Sequence, residues 1–535
     1  MNITRVEPDA PQSSGVAAGG LAGSPRFLLL ITSLFTAAFL YFSLFVDGHA
    51  PLWLSGDQTI FLLNAERLLH GQVMYRDFFQ FTLPGTEFVY LAFFRIFGMR
   101  AWIPNVSLIL LGIGLTACMV LISNKILHRK NVLLPALLFL VCSYHAMLNA
   151  THHWFSLLAM LAAIAIVIDT RSVPLIALAG MFSGVAALFT HAEGLMCLLG
   201  LACFLLWERR PLHGENTLFP KMFSLFSAFC VTLAVTCGYS IIQGGFANVW
   251  SCVVVFTLRY YSTDINANTP LVYLSFPGVP PWSHLPSLLV WLFIYAVVPF
   301  AYVLFIVRYW RRPPGDETGP WDKLKLLNIV GWFLFLGTAS SPSIMRLAAE
   351  SPPAIILLVW LSETRGRNSH APIKLLWAFG LTLAIAEPWV TQSRPANVLD
   401  LPSGRIAFAS PEQRDKYAWL AARTHPEDFL LDGATLPRVY FPLKLRNPTG
   451  VPFLTTTDYT RPEQVREAIH SLETKPVNLV IWSVDVDVPE DIRDRGDHLA
   501  SLRDYVRHHF RQVKTFPDGD QVWERRPASD GTLSP

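Results

Sequence analysis

The chain has 535 residues, of which 52% are apolar and 15% are charged, and its mean hydropathy is +0.38. Soluble domains carry about 25% charged residues, so this composition excludes an ordinary soluble enzyme and also a disordered protein. The net charge of +3 gives no field that would attract nucleic acid. The seven cysteines lie in or beside apolar stretches without zinc-site or CxxC spacing, which indicates small core residues.

The apolar stretches predict a polytopic α-helical membrane protein. Residues 1–26 are polar and rich in Gly, Ser and Pro, which is typical of a disordered tail. The first apolar stretch is too long for a cleaved signal peptide, so we interpret it as a retained span. With about 20 residues per crossing, we expect about eleven spans, within a range of ten to thirteen. They are Phe27–Val46, Ile103–Ser123, Val132–Ala150, Trp154–Ile168, Val173–Phe189, Gly194–Trp207, Met222–Ile242, Leu288–Val307, Leu324–Ala339, and Pro353–Leu361 and Leu375–Ile385 with their flanks.

The distribution of Lys and Arg predicts the orientation. Alternate loops are rich in basic residues, as at Arg129-Lys130 and Arg308–Arg312, and these loops are cytoplasmic by the positive-inside rule. The N-terminus is then cytoplasmic, and residues 47–102 form a large first outside loop. This holds if Pro84–Gly98 does not span, and we interpret that segment as a helix in the outer interface.

The composition changes after residue 392. Residues 393–535 alternate as strands do at Arg405–Ala409, Phe429–Asp432 and Val477–Val484. Helical periodicity appears at Glu412–Arg423, Pro462–Glu473 and His498–Phe510. The mixture predicts a small α/β domain, which lies outside if there are eleven spans.

The first outside loop holds the most informative carboxylate. Asp57 follows the first span and precedes an amphipathic helix, Phe61–Leu69, whose polar side carries Asn64, Glu66 and Arg67. A carboxylate at the membrane surface can take a proton from an acceptor hydroxyl or bind a cation that holds a phosphate. The alternative is that Asp57 caps the helix.

Two further outside turns hold ionisable residues at the ends of spans. The second outside loop contains His152 and His153, which are candidates for binding a phosphate, a sugar or a metal. The third contains His191 and Glu193, an ionisable pair next to hydrocarbon, which is costly and suggests a site. The alternative for His152 and His153 is that they are interfacial polar residues beside a Trp. The alternative for His191 and Glu193 is an ion pair that stabilises a turn.

The remaining outside loops supply cations. The long loop Gly244–Pro286 holds Arg259, Tyr260 and Tyr261, which suit a phosphate and a sugar ring. Arg346 precedes a late span and is a further candidate for a phosphate. Interfacial anchoring by the tyrosines and snorkelling of Arg346 remain open alternatives.

The first loop resembles the start of the GT-C superfamily of membrane glycosyltransferases, in the bacterial branch related to protein mannosyltransferases and lipid A aminoarabinose transferases. An outside aspartate is followed by "A..LL.G...Y.DF", "PG" and "FR.FG". The matching residues are Asp57, Ala65, Leu68, Leu69, Gly71, Tyr75, Asp77, Phe78, Pro84, Gly85, Phe94, Arg95, Phe97 and Gly98. The resemblance covers Trp53 to Trp102 in sequence, and the many spans with a C-terminal outside domain match along the whole chain.

The resemblance implies sugar transfer from a polyprenyl-phosphate donor to an acceptor hydroxyl on the outer face of a bacterial inner membrane, with inversion. Asp57 matches the family's catalytic carboxylate, and we include Tyr75 and Asp77 among the candidate substrate-binding residues. The acceptor is a glycolipid, a polysaccharide or a protein. Gln58 stands where protein mannosyltransferases carry Glu, and Leu83-Pro84-Gly85 lacks the Lys of the aminoarabinose transferases, so neither subfamily's substrate is assigned.

No nucleotide-binding loop, HExxH or serine-elbow motif has a supporting context. This agrees with a lipid-activated donor and no nucleotide cofactor, and it leaves a divalent metal open. The alternative function is a transporter or flippase for lipids or lipid-linked sugars. No repeat relates the two halves of the span region, and ionisable residues gather at loop ends, which favours surface chemistry.

Overall fold

The computed structural model describes residues 24–208, 218–261, 285–313, 319–338, 343–364, 371–486 and 497–527. Residues 1–23 of the predicted disordered tail and residues 262–284 of the loop Gly244–Pro286 lie outside the described ranges.

Helices dominate the chain up to residue 393. In order they are α1 (Pro25–Leu44), α2 (Gln58–Leu69), α3 (Gly85–Phe97), α4 (Ile103–Ser123), α5 (Arg129–Met147, with 3₁₀ and π-helical turns), α6 (His152–Val167), α7 (Val173–Phe189), α8 (His191–Trp207), α9 (Leu218–Gly244), α10 (Phe246–Trp250, continued by π-helical turns to Tyr261), α11 (Leu285–Trp310), α12 (Trp321–Thr338), α13 (Ile344–Glu363) and α14 (Ala371–Ser393). The short strands β1 (Phe45–Val46) and β2 (Ala50–Pro51) pair after α1.

Seven of the helices in the described part of the chain are long and apolar enough to cross a membrane, namely α1, α4, α5, α9, α11, α13 and α14. Three apolar helices, α6, α7 and α8, are shorter. The predicted apolar stretches fall on these ten helices and on α12, while the number that cross stays a prediction. Large side chains on their outer surfaces, such as Ile242 (80% exposed) and Ile385 (73%), suit a lipid surrounding.

Residues 47–102, which the sequence predicts to be the first outside loop, contain α2 and α3. Helix α3 has 13 residues, too few to span a bilayer. The polar side of α2 does not face water, because Asn64, Glu66 and Arg67 are all buried. The later part of the chain covers this side of the helix, and Arg67 Nη2 donates to the carbonyl oxygen of Thr449 at 2.8 Å.

Strands and helices follow α14, close to where the sequence pattern predicts them. They are β3 (Asn397–Leu401), β4 (Gly404–Phe408), α15 (Pro411–Ala421), β5 (Leu430–Gly433), α16 (Tyr440–Leu443), α17 (Pro462–Thr474), β6 (Leu479–Trp482), α18 (Ala500–His509), β7 (Phe510–Thr515) and β8 (Gln521–Arg525). β3 and β4 form an antiparallel hairpin, and the other four form a sheet in the order β5-β6-β8-β7 in which only β5 and β6 are parallel.

We call residues 397–527 the outer segment. Its contacts to residues 47–102 include backbone hydrogen bonds as well as side-chain contacts. Trp53 N donates to Ala407 O at 2.8 Å, and Phe79 N donates to Gly450 O at the same distance. These contacts place loops of the outer segment over the loop that carries Asp57. The existence of a separate domain and its extracytoplasmic position stay predictions.

Candidate active site

Asp57 stands at the N-terminus of α2, but its side chain makes no capping hydrogen bond to the helix. The capping interpretation is therefore not what the structure shows. Asp57 lines a cavity of about 370 Å³, and it is exposed there. An uncapped carboxylate in a cavity is free to act on a ligand.

The turn at Asp57 is held by the residues just before α6. Gln58 N donates to Asn149 Oδ1 at 3.1 Å, and Gln58 Oε1 accepts from Ala150 N at 2.9 Å. At Gly56, with φ +144°, a Cβ would lie 1.8 Å from Asn149 Nδ2, so the close approach of the two loops requires glycine. Gln58, which marks the departure from the mannosyltransferase pattern, thus has a structural role beside Asp57.

Arg346 lines the same cavity from the start of α13. Its guanidinium Nη2 donates to the hydroxyl of Tyr261 and lies over that ring, with Cζ 5.7 Å from the ring centroid. Burial raises the pKa of Asp57, and the positive charge of Arg346 lowers it in part. The pair brings a proton acceptor and a cation together, which suits a hydroxyl nucleophile and a phosphate leaving group.

His152 and His153 line the cavity opposite the outer segment. His152 Nδ1 lies 2.7 Å from Thr190 Oγ1, and His153 Nδ1 lies 2.5 Å from Glu193 Oε1. Glu193 therefore pairs with His153, not with its sequence neighbour His191. Each histidine has one ring nitrogen engaged away from the ligand space, which leaves Nε2 as the polar atom for a ligand.

Other candidate residues lie outside this cavity. Arg259 is exposed and lies over the ring of Tyr260, with Cζ 5.6 Å from the centroid. Tyr75 donates to the carbonyl oxygen of Thr82 at 2.7 Å. Asp77 accepts from Val73 N at 2.7 Å and from Arg76.

Tyr75 and Asp77 are therefore engaged within their own loop, and binding of substrate in the Asp57 cavity does not fit their positions. Arg259 and Tyr260 do not line the Asp57 cavity either. His191 is largely buried, and its Nδ1 has no hydrogen-bond partner in the described part of the chain. Of the predicted residues, the cavity brings together Asp57, His152, His153, Tyr261 and Arg346, with Glu193 behind them.

The outer segment contributes wall residues that the sequence analysis missed. These are Thr435, Leu436, Phe453, Thr455 and Tyr459, and the first loop adds Gln80, Phe81 and Thr82. The ring centroid of Tyr459 lies 6.1 Å from that of Phe81 and 5.6 Å from that of Tyr261. The only signal was the Thr-rich run Thr455-Thr456-Thr457 before α17, which the patterns alone could not connect to Asp57.

A metal site receives no support from side-chain clustering. Within the described residues, no group of three or more His, Cys, Asp or Glu side chains is placed to hold an ion.

Comparisons with known proteins identify the fold. No family model matches the chain, and no curated protein matches it in sequence. ArnT from Cupriavidus metallidurans is similar in structure, with a TM-score of 0.57 and 13% identity over 92% of this chain and 97% of that chain. The oligosaccharyltransferase AglB from Archaeoglobus fulgidus gives a TM-score of 0.48 at 11% identity, covering 95% of this chain and 75% of that chain. The arabinofuranosyltransferase AftD from Mycobacteria also gives 0.48, at 13% identity over 94% of this chain and 40% of that chain.

The likeness to ArnT extends over nearly the whole of both chains, and at this identity it shows the fold. The resemblance to the GT-C superfamily that the first outside loop predicts is therefore confirmed at the level of fold.

Proposed function

We propose that the protein is a GT-C glycosyltransferase that moves a sugar from a polyprenyl-phosphate donor to an acceptor hydroxyl on the outer face of the membrane in which it lies. One observation carries the proposal: Asp57 and Arg346 line one cavity between the membrane helices and the outer segment. A general base and a phosphate-binding cation in one enclosed space are what this transfer needs. The fold shared with ArnT supports the same reaction class.

In the proposed reaction Asp57 takes the proton of the acceptor hydroxyl. The acceptor oxygen then bonds to the anomeric carbon as the bond from that carbon to the phosphate oxygen breaks. Because the nucleophile enters opposite to the leaving group, the configuration at the anomeric carbon inverts. The polyprenyl phosphate leaves with the electron pair of the broken bond, and Asp57 later releases its proton to water.

Arg346 and Tyr261 would stabilise the negative charge that grows on the leaving phosphate. A guanidinium matches phosphate geometry with paired donors, and in an enclosed cavity its effect on a developing charge is larger than in water. His152 and His153 would hydrogen-bond the sugar through Nε2, because their Nδ1 atoms are engaged by Thr190 and Glu193. With its proton on Nδ1, a neutral histidine accepts at Nε2 from a sugar hydroxyl.

The donor, the bacterial inner membrane, a cytoplasmic N-terminus and the extracytoplasmic outer segment belong to this proposal. The basic residues of the alternate loops support the orientation. The acceptor is a glycolipid, a polysaccharide or a protein, and the cavity opens beneath the outer segment, where such a molecule would enter.

The test is sugar transfer by the purified protein in detergent. We would offer polyprenyl-phosphate sugars and a cell-envelope glycan extract to wild type, Asp57→Asn and Asp77→Asn. The first variant should lose about 10²–10⁴-fold in kcat, as expected when a general base is removed. Asp77→Asn makes the same chemical change in the same loop outside the cavity, and it should stay within a few-fold of wild type.

Two results would overturn the proposal in different ways. Equal rates for wild type and Asp57→Asn would remove Asp57 from the chemistry. Absence of transfer with every donor, together with movement of a lipid-linked sugar across proteoliposomes, would assign the protein to the transporters.

A further inference from the structure

A second cavity lies beside the first. This outer cavity measures about 300 Å³ and is lined by residues of the first outside loop and of the outer segment. Leu54 and Ser55 line the outer cavity, and Asp57 lines the first. Ala434 lines the outer cavity, and Thr435, the next residue, lines the first. Two stretches of chain thus separate the cavities, and one extended ligand could occupy both.

The charges of the outer cavity exclude an anionic ligand. Its cations, Lys416 and Arg438, face three carboxylates, those of Asp432, Asp518 and Asp520. Lys416 Nζ already donates to Asp518 Oδ2 at 2.9 Å and to Asp520, and Arg438 Nη2 donates to Asp485. Because both cations are paired and the carboxylates outnumber them, a phosphate would find no available cation and an unfavourable field.

Asp432 leaves an acceptor open to the cavity. Its side chain is only 6% exposed. One oxygen, Oδ2, accepts from Arg438 N at 3.0 Å, while Oδ1 has no hydrogen-bond partner among the described residues. This oxygen can accept from a ligand hydroxyl, and a hydrogen bond to a charged acceptor is stronger than one between neutral groups.

Apolar surface completes the wall. Trp53 and Tyr417 line the cavity with Val439 and Ile481, and Gln413 adds an amide at its edge. A sugar ring presents hydroxyl groups at its rim and C–H groups on its faces, so carboxylate and amide oxygens beside aromatic rings match both. The volume lies at the lower end of the range for small-molecule sites, roughly 300–1,000 Å³, which suits one or two sugar rings.

We propose that the outer cavity is a saccharide subsite in which Asp432, Gln413 and Trp53 hold a neutral sugar unit of the acceptor glycan. The inference rests on the proposed function, since it names the acceptor of that reaction. The donor lipid approaches through the membrane helices that carry Arg346, whereas the outer cavity is walled mainly by the outer segment. The ligand is therefore assigned to the acceptor and not to the donor.

The binding test uses methyl glycosides and the full-length protein in detergent, measured by saturation-transfer NMR titration. The panel holds neutral hexosides, a glucosaminide and a glucuronide. Wild type and Asp57→Asn should bind a neutral glycoside alike, because Asp57 lies outside this cavity. Asp432→Asn should weaken binding by about tenfold or more, since tenfold is near the lower end of the range for a hydrogen bond to a charged group. Glucuronide should not bind.

Two variants on α15 guard against misfolding of the Asp432 variant. Gln413→Trp fills the exposed edge of the cavity and should abolish glycoside binding. Asp415→Trp puts the same bulk at an exposed position on the same helix outside the cavity, and it should bind as wild type does. In the transfer assay Gln413→Trp should raise KM for the glycan acceptor and leave KM for the donor unchanged.

The inference is overturned if wild type binds none of the neutral glycosides, if the glucosaminide or glucuronide binds in their place, or if Asp432→Asn and Gln413→Trp bind as wild type does. A raised KM for the donor in Gln413→Trp would also contradict the assignment to the acceptor. Failure of the proposed function would look different, because saccharide binding would persist while no donor sugar is transferred.

Discussion

His153 and Glu193 lie on different helices, and His153 Nδ1 is 2.5 Å from Glu193 Oε1 at the wall of the cavity that Asp57 lines. His153 is 6% exposed and Glu193 is 4% exposed. The histidine reaches the cavity, while the glutamate stands behind it and fixes the ring. Glu193 is therefore a positioning residue in the proposed reaction.

Substitution of Glu193 tests this role. Glu193→Gln keeps an acceptor oxygen for His153 Nδ1 and should retain most activity. Glu193→Ala frees the ring, and misplacement of a catalytic group by about 1 Å costs up to about 10²-fold in rate. The loss should appear in kcat more than in KM for either substrate. Equal activities of the Gln and Ala variants would show that the ring needs no anchor.

Arg346 should set the acidic limb of the pH–rate profile. Burial raises the pKa of Asp57, and Arg346 opposes this rise because its positive charge favours the carboxylate. Removal of the charge in Arg346→Gln should raise the pKa further. Since the base acts in its ionised form, the acidic limb of kcat/KM should move to higher pH.

Arg346→Lys is the matched control, because it keeps the charge but loses the planar paired donors. Its acidic limb should stay near that of wild type, while KM for the lipid donor rises. An unshifted limb in Arg346→Gln would mean that another group is the base.

The sequence predicted the helices well and the site only in part. Long apolar runs need no knowledge of their partners, so α1, α4 and α9 lie close to where hydropathy places them. Asp57 was found from its position after the first span and from the local motif. The burial of the polar side of α2 could not be predicted, because nothing local in the sequence shows that Thr449 and its neighbours cover Arg67.

The residues of the outer segment that line the site could not be predicted either, because they come close to Asp57 only through tertiary packing. Tyr459 reaches Phe81 and Tyr261 only because the outer segment folds back over the first loop. In the sequence, Arg259 and Arg346 are both isolated arginines in predicted outside loops. Only the packing of α10 and α13 decides that Arg346 lines the cavity with Asp57.

Glu87 should make the stability of the protein depend on pH. This carboxyl group on α3 is fully buried, and burial raises its pKa to about 7. Gln80 Nε2 donates to its Oε1 at 2.6 Å, while Oε2 has no hydrogen-bond partner among the described residues. Because the folded state holds this proton more tightly than the unfolded state, stability falls as the pH rises from the unfolded pKa through about 7.

Thermal unfolding at mildly acidic and mildly alkaline pH measures this effect. Glu87→Gln cannot ionise, so its Tm should fall less than that of wild type between the two conditions. Asp77→Asn is the control, since a hydrogen bond from Arg76 lowers the pKa of Asp77 and its contribution changes only at more acidic pH. If Glu87→Gln shows the same pH dependence of Tm as wild type, groups other than Glu87 cause that dependence.

Arg67 should hold the outer segment over the site. Its guanidinium is 3% exposed and donates to the carbonyl oxygens of Thr449, Gly450 and Val451 at 2.8, 3.5 and 3.4 Å. It also lies over the ring of Phe78, with Cζ 5.2 Å from the centroid. Arg67→Met keeps much of the side-chain length but removes the donor to Thr449 O, at a cost of about 1.5–3 kcal/mol for a hydrogen bond to a charged group. Gly450 O keeps Phe79 N as a donor, and Val451 O keeps Asn447 Nδ2.

We expect Arg67→Met to lower the Tm and to speed proteolysis near residue 450. Transfer activity should fall as well, because Phe453 and Thr455 follow this turn and line the Asp57 cavity. Arg76→Met removes a half-exposed arginine of the same loop and should change neither quantity appreciably. If Arg67→Met lowered the Tm while transfer stayed at the wild-type rate, the outer segment would be a stabilising cover whose position the chemistry does not need.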